Sequence, residues 1–206
     1  FPHIAPLTDG GFVAAWTSTY QDGAGQGVYA RRFDANGKAT DILVNTSGND
    51  ILNGTSAAED DAVSYANAAS AVTVSLNITG QQNTIGAGFD TLSGIEHLVG
   101  SSFGDALTGN EKDNALFGGN GNDTLAGWSG ADNMIGGPGN DTYFVENFRD
   151  IVIEKVNEGI DTVNTRVSYA PFEHIENIIL TGTSAIDATG TSQANIITGN
   201  GAVNFI

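Results

Sequence analysis

Cysteine is absent from this chain, which excludes disulfide stapling and a thiol nucleophile. Basic residues are scarce as well: seven Lys and Arg stand against twenty-four Asp and Glu, for a formal charge of −17. That balance argues against nucleic acid and anionic membrane surfaces as partners. Histidine is sparse, with His3, His97 and His174 far apart, and E173-H-I-E lacks the spacing of a zinc peptidase helix. No phosphate-binding loop occurs, and no stretch reads as a transmembrane segment, so no enzyme constellation competes.

What the chain has is glycine, aspartate and a period. Leu107, Leu116, Leu125, Met134 and Tyr143 recur every nine residues, and four of the five have Asp two positions earlier. Nine residues divide into a six-residue turn and a three-residue strand whose central side chain points inward. Successive strands then alternate between two facing sheets, and turns on one edge lie eighteen residues apart. Asp105, Asp123 and Asp141 fall in one column, Asn114 and Asp132 in the other. Glycine permits the close backbone approach such turns need. Exposed carbonyls can then join the Asp carboxylates in an all-oxygen shell for a hard cation such as Ca2+. The expected fold class is all-β: a parallel β-roll or β-helix solenoid built on nine-residue repeats, with a short N-terminal antiparallel strand pair.

The turns G118-G-N-G-N-D-T-L-A, G127-W-S-G-A-D-N-M-I and G136-G-P-G-N-D-T-Y-F resemble the nonapeptide G-G-x-G-x-D-x-U-x of the repeats-in-toxin (hemolysin-type calcium-binding) family, where U is a large apolar residue. The resemblance implies calcium ions between neighbouring turns of one edge. It assigns Asp123 and Asp141 to a shared site, with Gly118, Gly119, Asn120, Gly121, Gly136, Gly137 and Gly139 supplying close-packed turns and carbonyl ligands. On the other edge it assigns Gly127, Ser129, Gly130 and Asp132, with Asp150 as the next partner. Asp105 forms a second pair with Asp123, although Ser101, Ser102 and Phe103 stand in its turn. In G109-N-E-K-D-N the family's Asp is replaced by Asn114, for which Asp113 is a substitute.

By the same resemblance the expected function is calcium-dependent folding, without catalysis, in an extracellular or cell-surface protein exported by type I secretion machinery. The alternative is a carbohydrate-binding module of a polysaccharide-modifying enzyme, with an extracellular glycan or cell surface as partner. Close carboxylates repel one another without counterions, so binding of several Ca2+ ions is coupled to folding.

Residues 1–45 differ in texture. G11-F-V-A-A-W-T and G27-V-Y-A-R-R-F are strand candidates, D34-A-N-G supplies a turn, and the segment resembles one blade-like repeat of large secreted calcium-binding proteins. Residues 46–206 are expected to form the roll. It begins at S47-G-N-D-I-L-N-G and E59-D-D-A-V-S-Y-A and carries an inserted loop and strand at 66–88, with Val72, Val74 and Leu76 facing inward. Rungs 175–206 are expected to be calcium-poor. There Asn177, Asn195 and Asn204 hold the turn frame, Ile186 fills the intervening place, and Ile179, Ala188, Ile197 and Ile206 line the strands. The chain starts without Met and stops inside a repeat-like segment, so it is expected to be a portion of a larger protein.

Overall fold

The structure, a computed structural model, describes residues 42–54 and 61–206, and before them four strands. These are β1 (His3–Pro6), β2 (Phe12–Thr19), β3 (Gln26–Phe33) and β4 (Ala39–Thr40), paired antiparallel in that order. The expected strand pair is thus the centre of a four-stranded sheet. Its outer strands are too short to carry an alternation of their own. The D34-A-N-G turn, and Glu59 and Asp60 of the second early repeat, lie outside the described residues.

From residue 42 the chain is built of short strands: β5 (Ile42–Val44), β6 (Ile51–Asn53), β7 (Ala62–Ser64), β8 (Thr73–Ser75), β9 (Gln81–Asn83), β10 (Phe89–Ser93), β11 (His97–Val99) and β12 (Ala106–Thr108). They continue as β13 (Ala115–Phe117), β14 (Thr124–Ala126), β15 (Asn133–Ile135), β16 (Thr142–Val145), β17 (Ile151–Ile153), β18 (Thr162–Thr165), β19 (Asn177–Leu180) and β20 (Ile196–Thr198). One parallel sheet runs β17-β15-β13-β11-β7-β5, and the facing one runs β20-β19-β18-β16-β14-β12-β8. From β11 to β18 odd and even strands alternate between the sheets, as a nine-residue unit with an eighteen-residue coil requires. The molecule is a parallel β-solenoid consistent with a β-roll.

Each three-residue strand from β6 to β17 buries its middle side chain, while Leu43 of β5 and Ile197 of β20 are partly buried. Val63, Leu98, Leu116, Met134 and Val152 stack in register on one inner face. Val74, Leu107, Leu125, Tyr143, Val163 and Ile178 stack on the other. Burying one such side chain contributes about 1.5–3 kcal/mol, and no rung could hide its apolar face without its neighbours.

Two departures from the nine-residue frame matter. Within 66–88, β8 is an ordinary rung: it pairs in parallel with β12, placing Val74 opposite Leu107. Only the excursion after it is irregular, where β9 pairs antiparallel with β10, which itself pairs in parallel with β6. The second departure follows β17. Tyr143 lies opposite Val163, Val163 opposite Ile178, and Ile178 opposite Ile197, so the spacing changes on every rung. Extending a strict frame backwards therefore selects Ile179, whereas Ile178 occupies the core and Ile179 is only half-buried. Asn177 is accordingly a strand residue, Ile186 and Ala188 are buried, and Ile206 is exposed.

Candidate metal centre

The turns between the two sheets carry the acids, and the backbone beside each acid explains its surroundings. Asp123 Oδ1 accepts the Asp105 N–H at 2.7 Å, Asp141 Oδ1 accepts the Asp123 N–H at 2.7 Å, and Asp161 Oδ1 accepts the Asp141 N–H at 2.8 Å. On the opposite edge, Asp132 Oδ1 accepts from Asn114 N–H and Asp150 Oδ1 from Asp132 N–H, at 2.8 and 3.2 Å. One oxygen of each carboxylate is therefore spent on stapling its own rung to the previous one.

The second oxygen divides the acids into two kinds. In Asp105, Oδ2 accepts the Ser101 N–H at 2.5 Å, while Oδ1 takes the Val72 N–H and the Ser101 hydroxyl. Asp150 Oδ2 accepts the N–H groups of Glu146 and Asn147. Asp90, near the start of the roll, is surrounded by the Asn45 amide, the Tyr65 hydroxyl and the Thr84 hydroxyl. By contrast Asp123 Oδ2, Asp132 Oδ2 and Asp141 Oδ2 are buried with no hydrogen-bond donor. All three belong to the glycine-rich turns. Isolating a carboxylate oxygen in this way is costly unless a cation or a proton meets it.

Glycine makes the space these oxygens occupy. A Cβ at Gly118, Gly127 or Gly136 would collide with Oδ2 of Asp123, Asp132 or Asp141 respectively. Gly119 and Gly137 form the stacked second turn positions, at φ of 113° and 95°, and a Cβ on Gly137 would strike the Gly119 carbonyl oxygen. Trp128 stands at the equivalent place on the other edge and itself adopts φ 72°. A left-handed conformation there costs a side-chain-bearing residue about 1–2 kcal/mol. Gly121, Gly130 and Gly139 share the positive-φ geometry, and Gly121 N–H donates to the Pro138 carbonyl at 2.9 Å. The side chains of Asn120 and Ser129 are exposed; the Ser129 backbone N–H donates to the Asn110 carbonyl at 3.2 Å.

Burial, above all, pushes these carboxyls up: Asp123 to about 6, and Asp132 and Asp141 to about 7, with neighbouring acids adding to the rise and the ladder N–H groups opposing it. Buried, orphaned carboxylates whose ligating form is disfavoured in the absence of a cation are what a hard divalent ion would stabilise.

The Asn turns resolve the same problem internally. Asn114 Oδ1 accepts the Asn110 N–H at 2.7 Å, and its Nδ2 donates to the Glu96 carbonyl at 2.9 Å. Asn195 repeats this with Thr191 N–H and the Ile175 carbonyl, and Asn204 with Asn200 N–H and the Ile186 carbonyl. Asp113 does not substitute for Asn114: its Oδ1 turns outward to the Ala131 N–H. The strict frame passes over Asp161, which follows Asp141 by twenty residues where earlier ladder steps take eighteen. The D-T-V pattern at 161–163, matching D-T-L at 123–125 and D-T-Y at 141–143, is the signal that identifies it.

The architecture and its turns define a calcium-binding β-roll. Residues 108–143 match the RTX calcium-binding nonapeptide repeat in four copies. Those turns are RTX repeats, and Ca2+ is the ion they bind. A search of curated proteins finds no match to the chain.

Proposed function

We propose that this chain is a calcium-dependent folding module, without catalysis of its own, from a protein exported by type I secretion and active outside the cell. The observation that carries the reading is the set of three buried Oδ2 atoms without donors, one in each glycine-rich turn. Asp123 and Asp141, with the carbonyls of the 118–122 and 136–140 turns, would hold calcium on one edge. Asp132, with the 127–131 turn, would hold it on the other. Asp105 anchors the ladder through Ser101 and contributes at most through its turn carbonyls. Extracellular calcium modules bind in the range of about 10^-4 to 10^-3 M, so the chain would stay unfolded at cytosolic calcium and fold after export. Among the described residues no helix is long and apolar enough to cross a membrane.

The test is a calcium titration of the chelated chain followed by circular dichroism. A cooperative gain of β structure with Ca2+, and a much weaker response to Mg2+, is expected, because an adaptable shell rich in protein oxygens suits the larger ion. Unchanged β content and unchanged thermal stability on adding calcium would overturn the reading.

A further inference from the structure

The acidic column continues past the repeats with different chemistry. The turn between β17 and β18 reads E154-K-V-N-E-G-I-D, two residues longer than its predecessors. It opens with Glu154 at the place held by Gly100, Gly118 and Gly136 on the earlier rungs of the same edge. Where those glycines leave space, this rung inserts a carboxylate, on a residue only 7% exposed.

Glu154 is held from one side. Its Oε1 accepts a hydrogen bond from the Tyr143 hydroxyl, whose oxygen accepts the Gly136 N–H at 2.7 Å. Tyr143 stands in the core column of Leu107 and Leu125 and has the reach to touch the turn. The other oxygen, Glu154 Oε2, is buried and has no donor, as is Asp141 Oδ2. One carboxylate oxygen each from Asp141, Glu154 and Asp161 lies within 4.8 Å of the others, and all three residues are buried. No Lys or Arg among the described residues forms an ion pair with any of them; Lys155 turns outward to Glu158. Three carboxylates so close in a low-dielectric setting repel one another strongly, and a cation is the direct remedy.

We propose that Asp141, Glu154 and Asp161 form a divalent cation site, made largely of side-chain carboxylates, that terminates the calcium column. Oxygen donors without nitrogen or sulfur suit a hard divalent cation, and the adjoining repeats make it Ca2+. The site ties β16, β17 and β18 together where the nine-residue frame fails and the longer turn would otherwise loosen the stack. Its higher negative charge makes it the tightest site of the column and the last to empty under chelation. Only the choice of calcium rests on the reading of the repeats; Glu154 and Asp161 lie outside them.

The experiment uses the full chain with Ca2+, and with Tb3+ as a luminescent substitute. Replacing Glu154→Gln should remove or severely weaken one ion per chain and spare the ions governed by Asp123. Replacing Tyr143→Phe, which frees Oε1 but keeps every ligand, should weaken that ion by roughly 10- to 100-fold and reduce tyrosine-sensitised Tb3+ emission. Crystals of the unaltered chain with calcium give the answer without any variant: an anomalous peak in contact with Glu154 Oε2 supports the site. Ions between the 118 and 136 turns with none touching Glu154 would overturn this site alone. An ion at Glu154 with none between those turns would overturn the repeat reading and leave the site standing. Wild-type ion number and affinity in a folded Glu154→Gln chain would also overturn it.

Discussion

The turns at 118–123 and 136–141 and those at 109–114, 190–195 and 199–204 follow one plan yet differ in how one side-chain oxygen is satisfied. In both, a glycine opens the turn and makes room for the side-chain oxygen of the residue five positions later. Where that residue is Asn, the oxygen takes an N–H from its own turn and the amide nitrogen donates to a carbonyl of the preceding rung. In the glycine-rich turns the oxygen beside the glycine is Asp Oδ2 and it has no donor: the Gly119 N–H, at the place of the Asn110 N–H, donates instead to the Gly136 carbonyl at 2.9 Å, while Oδ1 accepts an N–H of the preceding rung. The comparison teaches that solenoid packing and cation dependence are separable: the core columns run through both kinds of rung, while the need for an ion follows the loss of a turn N–H from the oxygen beside the glycine.

Chelation is the strongest way to break this comparison. An ion present at about a hundred times its Kd adds about 2.7 kcal/mol, so a few ions rival the roughly 5–15 kcal/mol stability of a typical domain. Hydrogen exchange should show protection collapsing in β13 to β18 when calcium is withdrawn, with Mg2+ failing to restore it. Equal protection with and without calcium would mean that the Asp rungs, like the Asn rungs, close on their own.

Acidity should sharpen the same contrast. Burial raises Asp123 to about 6, Asp132 and Asp141 to about 7 and Glu154 to about 8 in the calcium-free fold. A carboxyl whose folded pKa lies above its unfolded value stabilises the fold below the unfolded pKa, and that contribution is lost as pH rises through the folded one. The calcium-free chain should thus be most ordered near about pH 4–5 and loosen toward pH 8. Calcium affinity should run the opposite way, because binding expels the protons, and calorimetry in buffers of different ionisation enthalpy should detect their release. A calcium-free chain that gains order toward pH 8 would contradict the orphaned-oxygen account.

Within one column, Asp123 and Asp105 offer a finer test. Asp123→Ala removes an unpartnered oxygen and should weaken calcium binding by roughly tenfold or more, about 1.4 kcal/mol. Asp105→Ala removes oxygens already taken by Val72 and Ser101. It should instead lower stability by about 1–3 kcal/mol through the N–H groups it strands, with a small effect on affinity. Matching losses of calcium affinity would show that Ser101 does not withdraw Asp105 from the ion.

Much of this was legible in the residues. A period of nine with Asp two places before Leu107, Leu125, Met134 and Tyr143 states the rung, the buried position and the edge on which each acid lies. What periodicity cannot state is which acid is already satisfied: Ser101 against Asp105 is a local hydrogen bond that looks like a weakened repeat. Nor does periodicity survive a turn of changed length. Two residues added before Asp161 and three fewer in the next step, from Val163 to Ile178, moved the later frame back by one, so Ile178 displaced Ile179 from the core, and Glu154 and Asp161 stood outside the expected set. The irregular 66–88 segment misled in the opposite sense, since β8 keeps its place in the stack while its sequence loses the repeat.

Converting one kind of rung into the other is a smaller perturbation with a signed outcome. Asn114→Asp puts an oxygen where Nδ2 now meets the Glu96 carbonyl at 2.9 Å. Without calcium the exchange should destabilise the chain by about 1–3 kcal/mol; with calcium, part of that loss should be recovered and the ion count on this edge should rise. Destabilisation of the same size at all calcium concentrations would show that this turn, with Asn110 and Lys112 in place of the repeat's second and third glycines, cannot form a site by charge alone.

The smallest effect belongs to the last Asn turn. Asn204 is half-buried near the C-terminal end, accepting the Asn200 N–H at 3.1 Å and donating to the Ile186 carbonyl at 2.6 Å. Asn204→Ala should remove about 0.5–1.5 kcal/mol per hydrogen bond, with less observed where water can replace the partner. Because the turn closes through its own amide, the calcium titration midpoint of the variant should coincide with that of the unaltered chain even as its thermal stability falls. A shifted midpoint would mean that the Asn rungs feed into ion binding after all, and the separation of packing from cation dependence would fail at the rung where it ought to be cleanest.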